Sequence, residues 1–137
     1  MKKIREEKEV ILFLTDLNFL KYLNDNFGHN IGDEAIKNVA LIIKEIFSEK
    51  GNCYRIGGDE FCIISIGTDQ IEFESMYRSF TEKIAEIDRK VEYPFSVAGA
   101  YYVVQDESID EAMQIVDNMM YENKNEIKKH HPDLART

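Results

Sequence analysis

Val10 to Leu14 form an unbroken apolar run that ends at Thr15-Asp16, the pattern of a strand covered on both faces. Across residues 33–47 the period becomes helical. Ile36, Val39, Ala40, Ile43, Ile46 and Phe47 share one stripe, and Gly51 follows as a stop signal. Residues 53–57 and 58–66 read as two strands joined by Gly57-Gly58, glycines that supply the positive φ values of a tight turn. A two-residue turn there sets Cys53 opposite Cys62. A second amphipathic helix carries Phe73, Met76, Tyr77, Phe80, Ile84 and Ile87, and residues 95–104 read as another strand. Ser108 and Glu111 make a capping box for a third helix with Ala112, Met113, Val116, Met119 and Met120 on one face. At this spacing the methionines read as core rather than as a binding surface. The predicted order is β-α-β-β-α-β-α, an α+β fold with a mixed central sheet, a β-hairpin and flanking helices.

The chain has 137 residues, enough for one domain, and its 44% hydrophobic content is ordinary for a globular protein. A net charge of -9 argues against a nucleic-acid surface, since phosphate backbones are held by clustered Lys and Arg. It leaves open a nucleotide held through a metal ion, which supplies the missing positive charge. No apolar run reaches the roughly 18 residues that span a bilayer. The charged start, Met1 to Glu9, has no signal-peptide core. Two cysteines fit a reduced, cytoplasmic protein. They read as small core hydrophobes, with a redox clasp as the alternative.

Three places can carry chemistry. Asp16 closes a buried strand, where a carboxylate either caps a turn or faces a cation. Asp59 and Glu60 follow the glycine turn and, taken alone, suit a solvated hairpin tip. Together these acids repel one another unless a hard cation such as Mg²⁺ sits among them, and Mg²⁺ commonly completes its shell with substrate phosphates. Gly57 and Gly58 would let a triphosphate approach the backbone. The second place is residues 24–35. Asn24 can donate and accept while Asp33 only accepts, a pair suited to the N–H edge of guanine. The plainer reading is a loop over residues 26–32 with Asp33 in the first helical turn. His29 reads as a structural loop histidine, and His130 and His131 as solvated tail. The third is Lys124 and Lys128, four apart on one helical face, either a solvated helix end or a pair of phosphate ligands.

Gly57-Gly58-Asp59-Glu60-Phe61, preceded by Arg55, resembles the name-giving motif of the GGDEF domains, the diguanylate cyclases. Asp16-Leu17-Asn18-Phe19-Leu20-Lys21 with Asn24-Asp25 is similar to the family's D-x-[DN]-x-[FL]-K-x-x-N-D. Gly28-His29 and Gly32-Asp33 match its G-H-x-x-G-D, and Phe95-Ser96-Val97-Ala98-Gly99 resembles its S-x-G strand. Asp117, Tyr121 and Lys124 fall on its last-helix pattern. The resemblance covers roughly residues 10 to 130. It implies a nucleotidyl cyclase-like palm that condenses two GTP into cyclic di-GMP and pyrophosphate across a transient homodimer. Metal ligands would be Asp16, the carbonyl of Leu17 and Asp59, with Glu60 assisting, and the ion Mg²⁺ or Mn²⁺. Asn24 and Asp33 would read guanine, and Lys124 and Lys128 would bind phosphates. Asn18 stands where a second Asp is commoner, and Asn125 to Lys128 replace the usual Gly-Arg-Asn ending. Ser48 to Gly51 lack the Arg-x-x-Asp of the product-inhibition site. The N-terminal L-T-G-L-x-N-R helix is also missing, so the expectation is one GGDEF domain over residues 1–137, abbreviated or excised from a longer sensor protein. The alternative is a silent module that binds GTP or a cyclic dinucleotide, or dimerises, without turnover. A polymerase-like palm that acts on nucleic acid is disfavoured by the acidic charge.

Overall fold

The computed structural model describes residues 9–135, so the charged stretch Met1–Lys8 lies outside the described residues. The elements run β1 (Val10–Leu17), α1 (Leu20–Phe27), α2 (His29–Phe47), β2 (Gly51–Arg55), β3 (Glu60–Ile66), α3 (Gln70–Lys90), β4 (Val97–Val103), α4 (Ile109–Lys129) and α5 (Pro132–Ala135). The sheet order is β2-β3-β1-β4, with every neighbouring pair antiparallel. The α+β class and the helices on both faces are as expected, while the sheet, expected to be mixed, is antiparallel throughout. Among the described residues no helix is long and apolar enough to cross a membrane.

The apolar run of β1 builds two cores because successive side chains point to opposite faces. Ile11, Phe13 and Leu17 join Val39, Ile43 and Phe47 of α2 and Phe73, Phe80 and Ile84 of α3. Leu12 and Leu14 join Ala112, Val116 and Met120 of α4. Phe13 centres the first core, with the rings of Phe47, Tyr77 and Phe80 at 5.4, 5.3 and 5.4 Å. The capping box at α4 is present, with Glu111 N donating to Ser108 Oγ at 3.1 Å and Ser108 N to Glu111 Oε1 at 3.0 Å. Of the α4 methionines, Met120 is buried but Met119 is 38% exposed, so the stripe is only partly core.

Three further expectations are corrected. The loop over 26–32 is helical except at Gly28, whose φ of +92° separates α1 from α2. His29 therefore opens a helix, and Asp33 sits in its second turn. Leu20, Leu23 and Phe27 carry the spacing that marks α1, and Leu23 is its buried residue. The tail is also less detached than expected: the ring of His131 meets Phe19 edge-on at 5.8 Å.

The third correction concerns the hairpin. The last ladder pair is Arg55↔Phe61, and Ile56 N donates to Glu60 O at 2.7 Å, leaving residues 57–59 as a three-residue loop. Of its glycines, only Gly57 takes a positive φ, +81°. One extra loop residue shifts the register by one, and a shift of one moves side chains to the other face. Cys53 thus pairs with Ile63, and Tyr54 with Cys62. Cys53 is exposed and Cys62 buried, on opposite faces of the hairpin, which rules out a clasp. Burial, with help from Glu60, pushes the Cys62 thiol up to about 11.

Two outcomes follow. Phe13→Ala should cost about 3–5 kcal/mol in urea unfolding, since four aromatic neighbours lose their common contact. At pH 8 a thiol reagent should modify Cys53 quickly and Cys62 only on unfolding, with no Cys53–Cys62 disulfide after air oxidation; mass spectrometry reads both.

Candidate active site

The ends of β1 and the hairpin are joined by register and by one backbone bond. Asp16 lies directly across the ladder from Glu60, and Leu17 N donates to Asp59 O at 3.0 Å. Alternation turns Asp16 to the α4 face, where Lys124 Nζ donates to its Oδ2 at 2.7 Å. Asp16 is only 9% exposed, and its Oδ1 is buried with no protein partner. Burial pushes its carboxyl above the usual carboxylate range, the Lys124 ammonium pulls it back, and Asp59 pushes it up again. Glu60 is raised by burial first, then by Asp16, Asp117 and Asp59. The acids thus converge as the sequence suggested, and α4 contributes the cation between them.

The hairpin tip is braced from behind. Arg55 Nε and Nη2 donate to Gly58 O at 3.1 and 2.6 Å. A Cβ built on Gly57 or Gly58 would meet nothing within 4 Å. Both glycines therefore stand beside open space, and the positive φ at Gly57 favours a residue without a side chain.

Beside the tip lies a cavity of about 200 Å³, lined by Leu17, Leu20, Asp59, Lys124, Lys128 and Leu134 among others. Lys128, four residues beyond Lys124, reaches it because α4 runs on unbroken to Lys129. Phe19 has a φ of +63°, the one positive-φ non-glycine among the described residues. That turn starts α1 at Leu20, with no side chain capping the first amides. Leu20, Lys21 and Tyr22 line the cavity. Uncapped amides at a helix start attract anions. Reading the sequence without α1 missed this feature; the 20/23/27 apolar spacing was its signal.

Asn24 lies one turn beyond Leu20 on α1, and its side chain rests against Gly32 of α2, the residue before Asp33. Asp33 itself is exposed. Asn24 thus packs on the residue before Asp33, one helical turn from the cavity.

Among the described residues no three His, Cys, Asp or Glu side chains form a ready-made metal site. The unpartnered Asp16 Oδ1, with Asp59 close by, nevertheless suits a hard cation that takes its other ligands from water and phosphate.

Comparison with known proteins agrees with this architecture. The family model described as "Diguanylate cyclase, GGDEF domain" matches residues 1–130. The chain is 32% identical over 124 residues to the probable diguanylate cyclase DgcJ of Escherichia coli, covering 90% of this chain and 25% of that protein. It therefore spans about a quarter of that relative's length. It is similar in fold to the GGDEF domain of DgcB from Caulobacter crescentus, solved in complex with c-di-GMP. The TM-score is 0.74 at 22% identity, over 90% of this chain and 77% of that one. The active GGEEF domain of a Vibrio cholerae diguanylate cyclase gives a TM-score of 0.70 at 23% identity, over 91% and 81%. With the family model matching nearly the whole chain, and the family's glycine turn and acids meeting at one sheet edge, this chain belongs to the GGDEF domain family.

Proposed function

We propose that this domain is a diguanylate cyclase that condenses two GTP into cyclic di-GMP. The observation that supports it most is the cavity beside the bare-backbone tip at Gly57-Gly58, which Asp59, Lys124 and Lys128 line, while Lys124 also bonds Asp16, the ladder partner of Glu60. Two domains face each other as a transient homodimer, each holding one GTP. Each 3′-hydroxyl gives up its proton to solvent as its oxygen bonds to the α-phosphorus of the other GTP; both Pα–O–Pβ bonds break, and two pyrophosphates leave.

Asp16, Asp59 and the Leu17 carbonyl would hold Mg²⁺ or Mn²⁺, with Glu60 assisting. When bound, the ion supplies Lewis-acid polarisation of phosphate oxygens and neutralises leaving-group charge. Lys124 and Lys128 hold the β/γ-phosphates as point charges. The first amides of α1 donate to phosphate oxygens at the helix start. Asn24 and Asp33 engage the N–H edge of guanine. In this reading Lys124 leaves Asp16 for phosphate when GTP arrives, exposing a carboxylate ready for a cation. The domain works in the cytoplasm, under a sensory segment of a longer protein.

The Lys124–Asp16 contact also favours a second reading. An ammonium that stays on Asp16 would keep the cation out, leaving a module that binds GTP or a cyclic dinucleotide, or dimerises, without turnover.

Incubation with GTP and Mg²⁺ at high protein concentration should yield cyclic di-GMP and pyrophosphate by chromatography and mass spectrometry. Asp59→Ala should abolish both. Tight GTP binding without product would establish the second reading. Asp33→Ala should reduce the preference for GTP over ATP in competition binding, and unchanged discrimination would remove Asp33 from base reading. Lys124→Met should cost about 1–3 kcal/mol at pH 7, because it leaves a buried carboxylate without its donor. Its loss raises the folded Asp16 pKa further. The cost is therefore present above that pKa and fades as acid protonates the group; urea titrations at several pH values read the trend.

A further inference from the structure

We infer that Gly32 is a positioning residue for base selection: its missing side chain leaves the space in which the Asn24 amide is held. The inference rests on the reading of Asn24 as a guanine contact and adds what fixes that contact in place.

Gly28 folds α1 back on α2. Its N donates to Asn24 O at 3.0 Å, while its own O accepts from Ile31 N and Gly32 N at 3.1 and 3.3 Å. The last turn of α1 and the first turn of α2 are thus tied through one residue. That places Asn24 against Gly32, which is buried. A Cβ built on Gly32 would overlap Asn24 Oδ1, and would lie 3.1 Å from Asn24 Cγ and 3.2 Å from Leu20 Cδ1. The glycine is not here for backbone freedom, because its φ is an ordinary helical one. In mid-helix glycine is worth roughly 1 kcal/mol less than alanine, so local helix stability alone argues for a side chain at this position. What glycine provides is space, and the group that fills it is the amide oxygen of Asn24.

The nature of the overlap decides what a methyl group would do. The crowded atom is the far end of a short, rotatable side chain, not backbone. Alanine at 32 is therefore accommodated by turning Asn24 aside, with little strain on the fold. The same turn swings the amide out of the space over Gly32. Leu20 Cδ1 gives by a few tenths of an ångström, so guanine discrimination is lost while the amides and ammonium groups assigned to phosphate keep their places. A purely structural role for Gly32 in the α1–α2 contact would instead lower stability and weaken all nucleotides together.

The test titrates α,β-methylene analogues of GTP and ATP, which cannot release pyrophosphate, onto the full chain with Mg²⁺ by calorimetry. Gly32→Ala should keep the parent circular dichroism spectrum and weaken the guanosine analogue on the order of tenfold, the worth of about one lost hydrogen bond. The adenosine analogue should bind as it does to the parent. In the Asn24→Ala background, adding Gly32→Ala should change nothing further. Asn24→Gln, which carries the amide one methylene too far without touching Gly32, should lose guanosine affinity as Asn24→Ala does. That variant decides the matter if Gly32→Ala does not fold. Parent-like guanosine binding by Gly32→Ala, an equal loss for both analogues, or an undiminished loss in the Asn24→Ala background overturns the inference. If Asn24→Ala itself leaves guanosine binding unchanged, the guanine reading of Asn24 fails first and the inference goes with it.

Discussion

A carboxylate at the end of a strand buried on both faces is the constraint around which this site is arranged. Asp16 cannot turn to bulk water, because Leu14 before it and Leu17 after it are anchored in the two cores. A buried carboxylate without a partner is costly. Lys124, brought from the last long helix, offsets that cost at one oxygen. The other oxygen remains without a partner. The result is a place that favours added positive charge, whether a proton, the ammonium of Lys124 or a divalent ion. Its upward-shifted carboxyl and the proposed cation site are two expressions of the same unmet field.

The surrounding elements act on that field. The hairpin delivers Asp59 and Glu60 to the same edge, and Arg55 fixes its tip by bonding Gly58 O. The left-handed turn at Phe19 lets α1 begin at the rim, where its free amides attract anions. The acids, the first amides of α1, the ammonium groups of Lys124 and Lys128 and the Asn24 amide therefore follow one another along a short path. In α4, residues 125–128 depart from the family's usual ending, and the helix simply continues. That continuation carries Lys128 to the cavity and leads to Leu134 on its wall.

The α2–α3 core explains why the edge can carry so much unlike charge. The aromatic cluster about Phe13 lies behind the sheet, away from the acids. Strain at Phe19 is borne by β1, the strand before it, which is already held on both sides by antiparallel ladders.

Periodicity alone revealed most of the scaffold. The run from Val10 to Leu14, the stripe of α3, the capping box of α4 and the helix ending at Phe47 are local patterns, and local patterns report which face of an element is buried. The glycine turn and its acids were equally legible, because their spacing is short. What escaped were features set by contacts between distant parts. The short α1 also escaped although its signal was local: only its last two residues fall in the loop expected over 26–32, and Gly28 ends it there. The three-residue turn put Cys53 and Cys62 on opposite faces, since loop length, not strand composition, decides register. Lys124 meets Asp16 only because α4 packs across β1, a pairing that no spacing along the chain encodes. Chain order can name the groups that carry charge, but the energy of a charge depends on what surrounds it, and only packing brings those surroundings together.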